Sequence, residues 1–281
     1  MPWIVPSHQA PVIPLARSWP RTFSGLALVL GTLAPDLAFI LPLDPGGSPV
    51  SHSLAGQLVL TVPLVLLLHF LLTALVLPWL LPHLPGGPPL HLHELARARP
   101  ATGLAAQLRV AVSGLVGGLT HYFIDGFTHG DHSGWALAWL PWLATPVPYP
   151  GGRAPLHDAL QLWLTLGLGA LALVDWDRTA RRLPPAAHAR RVTPAPLAAQ
   201  RWVRVALVAA AVAGAALGPA LRGAVGTPDA LKLAAYGCVS FASAAALAGA
   251  FAERARQALA RVRLDVGAEP GLGSDLIPEV H

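Results

Sequence analysis

The chain has 281 residues, of which 54% are apolar and only 12% charged, with a formal net charge of +5. A soluble globular domain carries about twice that charged fraction, so the composition excludes soluble classes and indicates a polytopic membrane protein. The basic residues, 18 Arg and one Lys against 14 acids, are spread over loops rather than striped along one face. That argues against a nucleic-acid partner and makes them topology signals.

In chain order, Ser7 is a good N-cap and His8–Arg17 reads as a short helix of about 15 Å. It is expected to be a re-entrant, half-membrane element that turns near Arg17–Arg21. Six long apolar spans are predicted: Phe23–Leu43, Ser53–Pro82, Leu104–Ile124, Leu156–Val174, Trp202–Leu221 and Leu231–Phe251. The second holds thirty residues without one Asp, Glu, Lys or Arg, where about twenty apolar residues suffice to cross a bilayer. Phe23–Leu43 carries Asp36, and a carboxylate at membrane depth is a functional candidate by default. No cleavable signal peptide is expected, because the first long apolar stretch is followed by no small-residue cleavage site. Cys238 has no partner for an internal disulfide and reads as a small packing residue. The predicted fold is all-α: a transmembrane helical bundle of about six long spans plus the short N-terminal re-entrant helix.

Loop charge sets the expected orientation. Arg17 and Arg21 precede the first span, Arg97 and Arg99 follow the second, and Arg178, Arg181, Arg182, Arg190, Arg191 and Arg201 lie between the fourth and fifth. The tail carries Arg254, Arg256, Arg261 and Arg263, whereas the loop Asp44–His52 has no basic residue and Asp125–Pro155 has only Arg153. Positive loops face the cytoplasm. The C-terminus is therefore expected inside, and the loops at 44–55 and 125–155 outside. Trp135, Trp139 and Trp142 fall at helical spacing, so 134–143 is expected to be a short helix along the outer interface.

Four domains are expected. Residues 1–176 form a membrane-embedded module with the polar constellation, and 177–200 an Arg/Pro-rich cytoplasmic linker. Residues 201–253 form an Ala/Gly-rich two-helix hairpin, suited to close packing or to homo-oligomerisation. Residues 254–281, rich in Gly, Pro and acids, are expected to be a disordered tail.

The polar residues inside this apolar chain fall into four short groups: Ser7-His8, Pro35-Asp36, Ser51-His52-Ser53, and His121-x3-Asp125-x2-Thr128-His129. His121 and Asp125, four apart, project from one helix face as a standard pair of ligands for a divalent metal. The predicted topology brings His8, Asp36, His52, His121 and Asp125 to one leaflet. They are the candidate ligands of a divalent metal, zinc first with manganese or magnesium as alternatives. Asp36 is either a ligand or the catalytic general base. The plain alternative is that each hydrogen-bonds within the bundle. His69, the cytoplasmic cluster His83, His91, His93 and Glu94, and His157 with Asp158 read as structural or solvated groups. There is no Gly-x-Ser-x-Gly, phosphate-cradling glycine loop or dinucleotide fingerprint.

Through Pro-Ser-His at 6–8, Ala-Pro-Asp at 34–36, Ser-His-Ser at 51–53 and the His121 group, the chain resembles a family of bacterial integral membrane proteins, domain of unknown function 4184. The same order is similar to the membrane-bound metal-dependent hydrolases. The resemblance covers most of residues 1–175 and implies that His8, Asp36, His52, His121 and Asp125 are the matching site positions. Those hydrolases commonly carry Asp-x-Asp-His where this chain reads Asp36-Leu-Ala-Phe39, so a second acid and a histidine are missing. His129, Asp131 and His132 are candidate replacement ligands, or solvated loop residues. The expected function is a metal-dependent hydrolase of a bacterial cytoplasmic membrane, acting at the outer leaflet on an amphiphilic substrate such as a phospholipid or prenyl phosphate. A metal- or proton-handling carrier, or a structural membrane protein stapled by a metal, is the alternative.

The topology predicts a labelling pattern in a Cys238→Ser background. Single cysteines at Ser48 and Ser133 should react with an impermeant thiol reagent in intact cells, and one at Ala187 should not. Labelling at Ala187 alone would invert the orientation.

Overall fold

A chain without water around it has to satisfy its backbone N–H and C=O groups internally, and the apolar runs of this one do so as helices. The computed structural model describes residues 7–40, 50–83, 98–130, 133–150, 152–182, 195–221, 238, 242 and 245–257. A 3-10 turn at Ser7–Val12 runs on into α1 (Ile13–Ser18). There follow α2 (Gly25–Ile40), α3 (Leu54–His83), α4 (Leu104–Thr128), α5 (Leu156–Arg182) and α6 (Leu197–Leu221). Residues 245–257 are also helical. Asp131 and His132, the cluster at 91–94, and most of 222–244 and the tail lie outside the described residues.

Among the described residues, three helices are long and apolar enough to cross a membrane: Leu54–His83, Leu156–Asp175 and Leu197–Leu217. Their outward faces are apolar too, with Leu58, Val59, Leu67, Phe70, Trp163, Val205 and Val212 all exposed. A soluble surface rarely tolerates so much contiguous apolar area. Two other predicted spans meet that standard less clearly. α2 is described over Gly25–Ile40 only. α4 has 25 residues, but Arg109, His121 and Asp125 dilute its apolar character.

The centre of the bundle is set by glycines. α2 and α4 run parallel, matching Ser24 to Ser113 at one end, where the Ser24 N–H donates to Ser113 Oγ at 2.9 Å, and Thr32 to His121 at the other. A Cβ on Gly31 would run into the Gly114 carbonyl, and one on Gly117 into the Leu28 carbonyl. α3 takes the neighbouring face of α4, with Val65 over Gly114 and Gln57 over Gly118. Small residues allow this backbone approach without a hydrophobic driving force between helices. Ala27, Leu30, Ala34, Leu64, Val65 and Val110 fill the core beneath the polar end.

Arginines anchor the opposite end. Arg17 pairs with Asp175 at 2.5 Å, and Arg109 donates to the carbonyls of Phe23, at 2.6 Å, and Pro20. Arg204 donates to the His83 carbonyl at 3.2 Å and Arg254 to that of Ala74 at 2.6 Å.

Several expectations need correction. The region 134–143 is not one interfacial helix but two 3-10 turns, Trp135–Ala138 and Pro141–Ala144. Pro141 lacks an N–H and its ring blocks continuation of the first turn. Trp139 and Trp142 are exposed, whereas Trp135 packs on Tyr122, Phe123 and Phe127 over Gly126. The same loop contains an antiparallel hairpin, β1 (Pro146–Tyr149) with β2 (Gly152–Pro155), where Gly152 takes φ +147°. α5 continues to Arg182, so the first residues of the segment expected as a linker from 177 are helical. The tail expected from 254 likewise starts with helix, which runs to 257.

The glycine contact predicts that Gly117→Ala lowers stability by about 1–3 kcal/mol, the usual cost of overpacking. Gly167, with nothing near its Cβ position, should accept alanine without loss. Equal thermal midpoints for the two variants in detergent would refute the role of Gly117.

Candidate metal centre

The buried stripe of α4 runs Gly114, Gly117, Gly118, His121, Asp125 and Thr128. The three glycines bring α2 and α3 close, and the next two turns then present polar side chains into the space so narrowed. His121 is fully buried, and its Nδ1 lies 2.8 Å from the Thr32 carbonyl oxygen. A carbonyl only accepts, so Nδ1 carries the proton and Nε2 is left to face the site. Pro35 denies the Gly31 carbonyl its helical donor and loosens this turn of α2.

His52 reaches the site from the start of α3. Its Nδ1 is 3.0 Å from Ser51 Oγ. The Ser51 carbonyl accepts from Gln57 Nε2 at 2.7 Å, and Gln57 Oε1 accepts from Thr61 at 3.0 Å. Gln57 and Thr61 belong to a π-helical turn, Gln57–Thr61, a local distortion that recurs at functional sites.

Three ligand atoms form a tight triangle. His121 Nε2 is 3.0 Å from Asp125 Oδ2 and 3.3 Å from His52 Nε2, and His52 Nε2 is 3.4 Å from Asp125 Oδ2. Asp36 Oδ1 stands at a looser fourth corner, 3.5 Å from His52 Nε2 and 3.8 Å from His121 Nε2. Ligand atoms on a tetrahedral ion with bonds of about 2.1 Å lie about 3.4 Å apart, so the donor set fits a divalent cation in both chemistry and spacing. The groups His8, His121, Asp125 and Asp36, His52, His121 each converge within 4.8 Å.

His8 completes the wall. It is 2% exposed, stacks on His121 with ring centroids 4.3 Å apart, and sets Nε2 3.7 Å from Asp125 Oδ1. Neither of its ring nitrogens has a hydrogen-bond partner among the described residues, and the same holds for Ser7 Oγ, Asp36 Oδ2 and Asp125 Oδ1. An unsatisfied buried polar atom costs about 1–3 kcal/mol, and five in one place mark a site that a ligand would complete. Burial by itself would keep His52 neutral, but its hydrogen bonds to the carboxylates of Asp125 and Asp36, and their charges, outweigh that and push it up to about 9. A dication in place of that proton would satisfy the same carboxylates.

All five primary candidates, His8, Asp36, His52, His121 and Asp125, therefore meet at one end of the bundle. Of the additional ones, His129 borders the site with Nδ1 3.6 Å from Asp125 Oδ1, and its Nε2 is 3.2 Å from the Gln161 amide. Asp131 and His132 fall outside the described residues. His157 is buried with Nδ1 3.1 Å from the Leu143 carbonyl, a structural contact apart from the centre. A small cleft of about 10 Å³ between α4 and α5, room for about one water, reaches Ser7 and His8, with Gln161, Thr165, Leu164 and Leu168 along its α5 wall. Thr32, Gln57 and Gln161 are the supporting residues that the motifs did not single out. Gln57 and Gln161 each left a signal, as the one amide in its apolar run.

Residues 1–253 match the model of a family described as a domain of unknown function, DUF4184. No curated protein and no solved structure matches the chain.

Proposed function

This chain belongs to the DUF4184 family, and we propose that it is a membrane-embedded, divalent-metal-dependent hydrolase acting on an amphiphilic substrate. The observation that carries the reading is the triangle of His52, His121 and Asp125, with edges of 3.0–3.4 Å, set beside a buried, partly unpartnered Asp36. Catalytic zinc sites use three protein ligands and leave a fourth position open. His52, His121 and Asp125 would hold the cation, which would supply a Lewis acid and acidify a water it holds.

The protein's own groups carry the rest. The Thr32 carbonyl fixes the tautomer of His121, as outer partners of ligating histidines commonly do, and Ser51 Oγ holds the orientation of the His52 ring. Asp36 sits at the open corner, with Oδ2 lacking a hydrogen-bond partner among the described residues. It is the general base that takes a proton from the attacking water. The apolar core below the site, from Ala34 down to Val110, keeps that proton from leaking across the bundle. The same core argues against the carrier alternative, which needs polar groups continuing to the other end.

Location argues for the substrate class. The cleft beside His8 is walled by Leu164, Leu168 and Ile124 on one side of its polar lining, and exposed Trp139 and Trp142 stand in the loop at the same end. That combination suits a phospholipid or prenyl phosphate held at a membrane boundary. In this reading α2 and α4 cross together with the more apolar helices to make six spans. The arginine-anchored end faces the cytoplasm of a bacterial inner membrane, and the C-terminus lies inside. The preferred cation is zinc, with manganese or magnesium as alternatives.

Protein purified without chelators should carry divalent metal. His52→Ala, His121→Ala and Asp125→Ala should each deplete it in elemental analysis, while His69→Ala and His91→Ala should not. Wild-type protein with no stoichiometric divalent ion would sink the reading.

Asp36→Asn separates base from ligand. The variant should keep its metal and lose hydrolysis of short-chain lipid phosphates by about 10²–10⁴-fold, as for a positioned base. Loss of metal along with activity would make Asp36 a ligand instead. Metal retained with no turnover by wild type on any lipid phosphate or phospholipid would leave a metal staple.

A further inference from the structure

The two oxygens of Asp125 face different partners. Oδ2 closes the triangle with His52 and His121, while Oδ1 points the other way, toward His8 Nε2 at 3.7 Å and His129 Nδ1 at 3.6 Å. Those separations match the 3.5 and 3.8 Å of the looser Asp36 corner. Among the described residues Oδ1 is nevertheless without a hydrogen-bond partner, and so are both nitrogens of the nearly fully buried His8. One cation in the triangle leaves that cost in place, because the single ligating atom of His121 is already committed to it and Thr32 occupies the other ring nitrogen.

We propose that the site holds two divalent cations astride the Asp125 carboxylate, the second bound by His8 Nε2 and Asp125 Oδ1 with His129 beside it. This rests on the metal-dependent reading above and deepens it. The Gln161 amide lies 3.2 Å from His129 Nε2. His129 Nδ1 also lies 3.2 Å from Thr128 Oγ1, whose hydroxyl donates to the Ile124 carbonyl, so His129 flanks the second cation and is not counted among its ligands. The cleft that Ser7, His8 and Gln161 line has room for about one water on that cation.

The charge count names a substrate class. Two dications against the carboxylates of Asp36 and Asp125 leave two positive charges in a buried space, with no further acid among the described residues that line it. An anionic group is needed to balance them. A phosphate ester meets that need, and paired cations about 3.5–4 Å apart are a recurrent clamp on its attacking and leaving oxygens.

The test uses the full chain in detergent, stripped with chelator and reloaded with Mn²⁺. Wild type is expected to bind two ions per chain with an exchange-coupled electron paramagnetic resonance spectrum. His8→Ala should bind one, uncoupled, and the ion it retains certifies its fold; His8→Gln serves if the alanine variant does not fold. One ion per wild-type chain overturns the pair and leaves the single-cation hydrolase standing. Two uncoupled ions overturn it as well, as does a coupled pair that survives loss of His8. No bound ion overturns both readings.

Discussion

Backbone contact between α2 and α4 is the constraint on which the rest depends. Gly31 and Gly117 admit carbonyl oxygens, those of Gly114 and Leu28, where a side chain would otherwise stand, and one turn further along the narrowed gap sets the Thr32 carbonyl 2.8 Å from His121. That bond decides which imidazole nitrogen faces the acids. Gly118 does the same for α3, admitting Gln57, which grips the Ser51 carbonyl and so places His52. The site is thus held by helix backbones and by side chains bonded to them, the kind of support that keeps ligating groups in register.

Such an arrangement is expensive in an apolar surround unless something completes it. Three imidazoles and two carboxylates share a space from which water is largely excluded, and a polar group buried without a partner loses its solvation for nothing. The segment Ser7–Val12 closes this space against α5, bringing two of the unpartnered side chains with it. Isolated charges at that depth would be worse still, so paired ligands around a cation are the arrangement that the same residues make cheapest. Retention of so many polar groups in one place points to chemistry rather than to packing.

The two ends of the bundle differ in kind. One gathers arginines that reach for helix carbonyls and for Asp175, with charges free to meet water and acidic headgroups. The other gathers histidines and acids turned inward, beneath a loop of aromatic side chains. Arg204 on α6, and Arg254 on the helix at 245–257, both contact α3, so these two helices pack on a site-bearing one.

Much was legible in residue order alone. Apolar runs announce helices because a backbone away from water has no other way to satisfy itself, and the His121–Asp125 spacing announces a shared helix face because 3.6 residues make a turn. The convergence of His8, Asp36, His52, His121 and Asp125 followed from alternating topology, since each motif sits at the same end of its span. What sequence left open needed distances. Pro141 breaks an interfacial helix whose tryptophans read as continuous, and Pro146–Pro155 pairs as a hairpin through contacts no local pattern encodes. The hold of Gln57 on the His52 loop and the opposed oxygens of Asp125 are likewise tertiary facts. Residue types and spacings determined which groups could meet. Only helix packing, through carbonyls brought against glycines, decided which atoms of those groups face one another.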